Sequence, residues 1–185
     1  MKVLIINGHE KAPSNKGELN QSLVGVMVKK LRNANDEVQL SSVEDYDTIT
    51  EINKFLWADL IIFQFPVYWF NVPGKLKLYL DNVLQHGIFY AGASEYGRGG
   101  LLQGKKFLFS TTWNAPITAF NDPTKFFAGA SVDDVFQPLY YAMEYCGLQP
   151  LTKKSISFHN VISHPEYQAY KKQLEQFMDD YVLNQ

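Results

Sequence analysis

The sequence predicts an α/β fold, a five-stranded parallel sheet with helices on both faces. Three observations carry that prediction. Apolar runs of strand length alternate with amphipathic runs of helix length, five times over 185 residues. Strict alternation demands a mostly parallel sheet, because each crossover must bring the chain back to start the next strand in the same direction. The polar and aromatic interruptions follow strands, where open α/β sheets bind ligands.

Lys2-Val3-Leu4-Ile5-Ile6-Asn7-Gly8 is the first strand, an apolar, β-branched run ended by glycine. The polar segment 9–17 follows, with Pro13, Ser14, Asn15 and Gly17. From Glu18 the period changes: Leu19, Leu23, Val26, Met27 and Leu31 recur at helical spacing, and Ser14, Asn15 or a neighbour can cap that helix. Glu37 to Ser41 alternates as a second, more exposed strand, and Ile49, Ile52, Phe55 and Leu56 mark a short helix. Asp59 to Phe65 is the third strand, apolar at its centre. Pro66 donates nothing to a ladder and Pro73 suits the first turn of a helix, so the strand ends near Phe65 and a helix from Gly74 to Gln85 begins near Pro73. Leu76, Leu78 and Leu80 alternate as a strand would, but Pro73, the length of the run and Val83-Leu84 favour helix.

His86 to Gly104 holds six glycines and is the longest irregular stretch, of the kind compact domains keep for lids and binding loops. Lys105 to Thr112 is the fourth strand, ended by Trp113-Asn114-Ala115-Pro116. Val132, Val135, Phe136, Leu139, Tyr140 and Met143 make one amphipathic helix closed by Gly147. Leu151 to Phe158 is the fifth strand, and Tyr167, Tyr170, Leu174, Phe177, Met178 and Tyr181 stripe a last helix whose aromatics are assigned to the core. No repeat or linker divides the chain, so residues 1–185 read as a single domain.

A net charge of −2 points neither to nucleic acid nor to an anionic membrane surface. No stretch has the length of a membrane span, and no signal-like run follows Lys2, which implies a soluble cytoplasmic protein. The single cysteine, Cys146, forms no internal disulfide and reads as a buried structural thiol. No Cys/His cluster suggests a metal.

Strand order 2-1-3-4-5 sets the loops after strands one and three side by side at the switch point. The first loop suits an anion: a helix N-terminus offers backbone N–H groups, Ser14, Asn15 and Asn20 add neutral donors, and Gly17 permits close approach. Plain helix capping explains the same residues equally well. There is neither a Walker A lysine nor a G-x-G-x-x-G after strand one. The third loop, with Tyr68, Trp69 and Phe70, either caps the core or presents a platform to a flat ligand. A planar flavin fits an anion site at loop one together with aromatics at loops three and four. Tyr68, Trp69 and Trp113 would wall its ring and Asn114 would meet the polar edge. No nucleophile with a base and no carboxylate pair presents itself, and His9, His86, His159 and His164 are scattered. Only His9 stands apart, because it follows strand one. A site without its own acid–base groups suits a cofactor that carries the chemistry.

These segments resemble the flavodoxin-like NAD(P)H:quinone oxidoreductases, most closely the modulator of drug activity B family. The marks are Leu4-Ile5-Ile6-Asn7-Gly8, Ser14-Asn15-Lys16-Gly17-Glu18-Leu19-Asn20, Phe55-Leu56-Trp57-Ala58-Asp59 and Pro66-Val67-Tyr68-Trp69. They continue with Tyr96-Gly97-Arg98-Gly99-Gly100-Leu101, Gln103-Gly104-Lys105-Lys106 and Thr112-Trp113-Asn114-Ala115-Pro116, the last being the most specific. The resemblance implies a flavodoxin-like fold and a homodimer that binds FAD, with FMN as the alternative. It places Ser14, Asn15, Gly17, Leu19, Asn20 and Gln21 at the phosphates. It places Pro66, Val67, Tyr68 and Trp69, with Thr112, Trp113, Asn114 and Ala115, at the isoalloxazine ring, and has Tyr96 touch the cofactor. Tyr68 stands where the family pattern has tryptophan, and the tyrosine–histidine pair of the animal quinone reductases is missing. The function expected is hydride transfer from NAD(P)H to a quinone or similar flat acceptor, in two ping-pong half-reactions through the flavin, with Asn114 in possible support. An electron carrier of the flavodoxin type and a flavoprotein regulatory subunit of a transporter are the alternatives.

Overall fold

The computed structural model describes residues 1–11 and 16–184. The predicted alternation is observed: β1 (Lys2–Asn7), α1 (Glu18–Asn33), β2 (Glu37–Ser42), α2 (Thr48–Trp57), β3 (Leu60–Pro66), α3 (Gly74–Val83) and β4 (Lys106–Thr112) follow in turn. After β4 come α4 (Val132–Val135), α5 (Gln137–Tyr145), β5 (Gln149–Pro150), β6 (Ile156–Phe158) and α6 (Tyr167–Met178), extended by a π-helical turn, Asp179–Leu183. The sheet order is β2-β1-β3-β4-β5, with β6 also on β4, and every pair is parallel.

Alternation along the strands feeds two cores. Leu4, Ile6, Ile61, Phe63, Phe65, Phe107 and Phe109 face α2, α3 and α5. Val3, Ile5, Leu60, Ile62 and Leu108 face α1 and α6. Both faces are covered, which is why β3 is buried at every position. Among the aromatics of the last helix Tyr170 is buried, whereas Tyr167 and Tyr181 are exposed. Cys146 is a buried free thiol, as expected.

Three elements depart from the sequence reading. The helix expected over Val132 to Met143 is two helices, because Pro138 opens α5 and cannot continue the hydrogen-bond ladder of α4. The fifth strand is broken: after Leu151 donates to Phe107 O at 2.8 Å, the polar run 152–154 folds on itself, with Lys154 N–H on Thr152 Oγ1 at 3.1 Å. The chain rejoins β4 only at Ile156, opposite Ser110. Pro73 is the N-cap of α3 rather than its first helical residue.

Candidate functional site

The first loop meets α1 at Gly17, the N-cap, in the left-handed region at φ 73°. Among the described residues no side chain caps this helix. The first-turn N–H groups of α1 have no acceptor within the helix and form the positive end of its dipole. His9 lies against Gly17 so closely that a β-carbon there would overlap the imidazole. The His9 N–H donates to Asn7 Oδ1 at 3.2 Å, and the ring is only 4% exposed. Its Nε2 is buried and, among the described residues, has no hydrogen-bond partner. Leaving such an atom unpaired costs about 1–3 kcal/mol, so the geometry favours a ligand that can pair with it. Ser14 and Asn15, both predicted here, lie outside the described residues. Leu19 is half-buried, and exposed Gln21 accepts from Asn7 Nδ2 at 3.0 Å.

Asn20 has a different role from the one read in the sequence. It is buried, its Oδ1 accepts from Gln64 Nε2 at 2.9 Å, and its Nδ2 lies 3.3 Å from Thr112 Oγ1. Gln64 Oε1 in turn accepts from Ser110 Oγ at 2.6 Å. These four side chains form a polar plug that ties the start of α1 to β3 and β4. Thr112 was expected at the flavin ring, whereas Gln64 and Ser110 were missed, although one amide in the apolar run Leu60 to Phe65 was the available signal.

Acidic side chains tie the neighbouring loops together. Glu10 accepts the Lys75 N–H at 2.9 Å, which caps α3 from the first loop. Glu44, after β2, accepts the Lys11 N–H at 2.7 Å and pairs with Lys75 Nζ at 2.8 Å. Lys75 first, then the Lys11 N–H, holds the Glu44 carboxyl below its ordinary value. Two clefts flank the first loop. One, about 520 Å³, is lined by His9, Lys16, Gly17 and Gln21 together with Ser42 and Glu44. The other, about 750 Å³, lies between Glu10 and the third loop, against Val67, Tyr68, Trp69 and Asn71.

The third loop is a tight turn. Tyr68 and Asn71 exchange both backbone hydrogen bonds, at 3.0 and 2.9 Å. Trp69 and Phe70 between them have φ of 50° and 61°, a type I′ pattern that normally selects glycine or asparagine. Each aromatic held there costs about 1–3 kcal/mol. Trp69 is 93% exposed, so its ring contributes nothing to the core in return. Phe70 packs against Phe126 and Phe127 at 5.6 and 5.3 Å. The loop begins from β3, where Pro66 is buried opposite Thr112 and the Val67 N–H donates to Thr112 O at 2.9 Å.

At the fourth loop the structure corrects one expectation: the Trp113 ring is no ligand wall. It is 2% exposed, packs on Phe120 and Phe136 at 5.1 and 5.4 Å, and donates Nε1–H to Thr111 Oγ1 at 2.9 Å. The reason is strand alternation, which carries residue 113 to the same face as Phe107 and Phe109. Its backbone is committed as well, to Phe158 O at 2.8 Å and to the Val161 N–H at 3.1 Å. Asn114 is exposed and its Oδ1 accepts from Ser163. Ala115 is half-buried and its carbonyl faces His159.

Tyr96 is not brought to these loops. It packs on Tyr145 at 5.8 Å, where α5 ends, while the adjoining Gly100 abuts Gly147 just before β5. That is the amino end of the parallel strands; the site lies at their carboxyl ends.

An open parallel sheet with an anion-ready helix start at its β1/β3 switch point, beside an aromatic turn, defines a flavodoxin-type ligand-binding architecture. The chain belongs to the flavodoxin-like fold family, which matches residues 1–178. It is 35% identical over 192 residues to NADPH:quinone oxidoreductase MdaB of Haemophilus influenzae, covering 98% of this chain and 95% of that protein. It is 30% identical over 185 residues to the glutathione-regulated potassium-efflux system ancillary protein KefF of Klebsiella aerogenes, covering 97% and 96%. The fold is shared with general stress protein 14 of Treponema denticola, solved in complex with FMN, at a TM-score of 0.69 and 22% identity over 99% of this chain and 97% of that one. No described helix is long and apolar enough to cross a membrane.

Proposed function

We propose that the protein is a flavin-dependent oxidoreductase that passes a hydride from NAD(P)H to a quinone or a similar flat acceptor. The observation that carries this reading is the first loop, where a buried imidazole nitrogen without a hydrogen-bond partner among the described residues lies beside the start of α1 and an exposed aromatic turn. The relationship to a quinone oxidoreductase over nearly the whole of both chains supports it.

The residues present fit a flavin. His9 Nε2 and the first-turn N–H groups of α1 would hold its phosphates, with Gly17 leaving room for the His9 ring beside the helix start. FAD is the form proposed. When bound, a flavin supplies the hydride-accepting and hydride-donating chemistry. The protein's own part is orientation and exclusion of water. Of the two stretches Pro66 to Trp69 and Thr112 to Ala115, the N–H groups of Asn114 and Ala115, which meet no acceptor among the described residues, would meet the ring's polar edge. Tyr68 and Trp69 would border the slot that nicotinamide and acceptor use in turn. Tyr96 reaches a cofactor only if a second copy brings it, so the homodimer and the Tyr96 contact form one proposal. A cytoplasmic location goes with this reading.

The purified protein is expected to be yellow, to release FAD on heating, and to oxidise NADPH with menadione as acceptor. A colourless protein whose spectrum is unchanged by added FAD or FMN sinks the reading. The KefF relationship favours a second one, a flavoprotein that serves as ancillary subunit of a transport system. Recovery of a transporter with the tagged protein from solubilised membranes, and none from an untagged control, would support it.

A further inference from the structure

The segment after β4 is held from one side by the chain that follows β6. Trp113 N–H donates to Phe158 O, Val161 N–H returns to Trp113 O, and Ser163 donates to Asn114 Oδ1 through both its N–H and its hydroxyl. One bond of this clasp comes from a titratable ring: His159 Nδ1 lies 2.9 Å from Ala115 O. Its other nitrogen, Nε2, lies 2.9 Å from Ser157 Oγ. The imidazole is nearly parallel to the Trp113 indole, at 17° and 6.3 Å, and meets Phe120 edge-on at 5.6 Å. Tyr170 donates to the His159 carbonyl at 2.8 Å, so the residue's backbone is pinned too.

The chemistry of these contacts selects one tautomer. A carbonyl oxygen only accepts, so Nδ1 carries the proton; Nε2 of the neutral ring then accepts from the Ser157 hydroxyl. Both nitrogens are thereby satisfied and the ring cannot flip without losing two hydrogen bonds. Among the described residues the N–H groups of Asn114 and Ala115 meet no protein acceptor, so this short stretch has donors to offer a ligand.

We propose that His159 is a positioning residue for the flavin site: its Nδ1–H anchors the Ala115 carbonyl while the Val161 N–H holds the Trp113–Asn114 peptide, so that the Ala115 N–H between these two anchors keeps one direction. The proposal rests on the flavin reading above. His159 touches the loop from behind and acts through it. Its aromatic stack accounts for the choice of imidazole, since a ring that packs on Trp113 and also donates sideways is what the place requires.

The test uses four proteins, each freed of flavin and titrated with FAD by fluorescence quenching, with the thermal midpoint of each apoprotein measured alongside. His159→Phe keeps the stack and removes the bonds; His159→Asn puts an amide N–H near the place of Nδ1; Ser157→Ala leaves the ring but frees it to rotate. His159→Phe is expected to bind FAD about tenfold more weakly with an apoprotein midpoint close to wild type, as loss of a positioned hydrogen bond predicts. His159→Asn is expected to recover most of that affinity, and Ser157→Ala to lose affinity in the same direction. Wild-type affinity in His159→Phe, or no recovery in His159→Asn, overturns the proposal. Unchanged affinity in Ser157→Ala overturns it even if the phenylalanine variant fails to fold. A wild-type protein that binds neither FAD nor FMN overturns the flavin reading itself.

Discussion

Gly17 and His9 are packed so tightly that a β-carbon on residue 17 would run into the imidazole. The same residue has a φ of 73°, where an L side chain costs about 1–2 kcal/mol. Gly17→Ala is therefore expected to lose stability by about that much and to push His9 out of place, so that FAD affinity falls by more than the stability change explains. Gly25, inside α1 with no atom within 4 Å of its missing β-carbon, is the control. Gly25→Ala should stabilise by about 0.5–1 kcal/mol without touching affinity. Urea unfolding of the apoproteins and flavin titration read both effects.

The polar plug beneath α1 makes a second prediction. Gln64→Leu removes both bonds of a completely buried amide and leaves Ser110 Oγ short of its partner. The loss should be about 1–3 kcal/mol in urea unfolding, the cost of orphaned buried polar groups. A variant as stable as wild type would show that the plug is dispensable.

Trp69 offers a trade between stability and binding. It is held at positive φ with almost all of its surface exposed. Trp69→Gly should raise stability by about 1 kcal/mol, because glycine adopts that conformation freely. The KM for NADPH or for the acceptor should rise as the slot loses an aromatic border. A Trp69→Gly protein that is both more stable and kinetically unchanged would show that the turn serves neither substrate.

Burial lowers the pKa of His159 below the ordinary value of 6.5, with only partial opposition from the Ala115 carbonyl. The unfolded chain therefore takes up this proton at higher pH than the folded one. The contribution is fully present above about pH 6.5 and is lost as pH falls through 6.5 toward the folded pKa. The ring's stacking and hydrogen-bond partners, Trp113, Phe120, Ala115 O and Ser157 Oγ, are all uncharged. Between pH 8 and pH 5 the wild type should lose more stability in urea unfolding than His159→Phe does.

Cys146 should be inert in the native protein, because burial pushes its thiol up to about 11. Iodoacetamide at neutral pH is expected to modify it only after unfolding, as mass spectrometry would register.

The architecture could be read from the chain because its signals are local. Strand runs such as Leu4 to Ile6 and Leu60 to Phe63 and helix stripes such as Leu23, Met27 and Leu31 each report their own element, and strict alternation then restricts the topology. The first and third loops were legible for the same reason: topology makes them neighbours. What escaped depends on which way a side chain turns at a strand's end. Trp113 read as an exposed wall, yet the alternation of β4 runs one residue past its last ladder pair. Asn20 read as a ligand donor, yet its partners Gln64 and Thr112 are 44 and 92 residues away in sequence. Tyr96 was set at the cofactor by resemblance alone, because nothing local tells which end of the sheet a glycine-rich loop will lie against. The break in the fifth strand was hidden by apolar residues on both sides of Thr152-Lys153-Lys154-Ser155.

That break governs how this sheet meets other molecules. Its outer edge beside β4 is two residues, then a polar outward turn, then three residues, and Pro150 has no N–H to offer. An incoming strand finds no continuous row of donors and acceptors to zip onto, which is how natural sheets discourage runaway stacking. Along this side the sheet terminates itself, so two copies that meet here must do so through side chains rather than by extending the ladder.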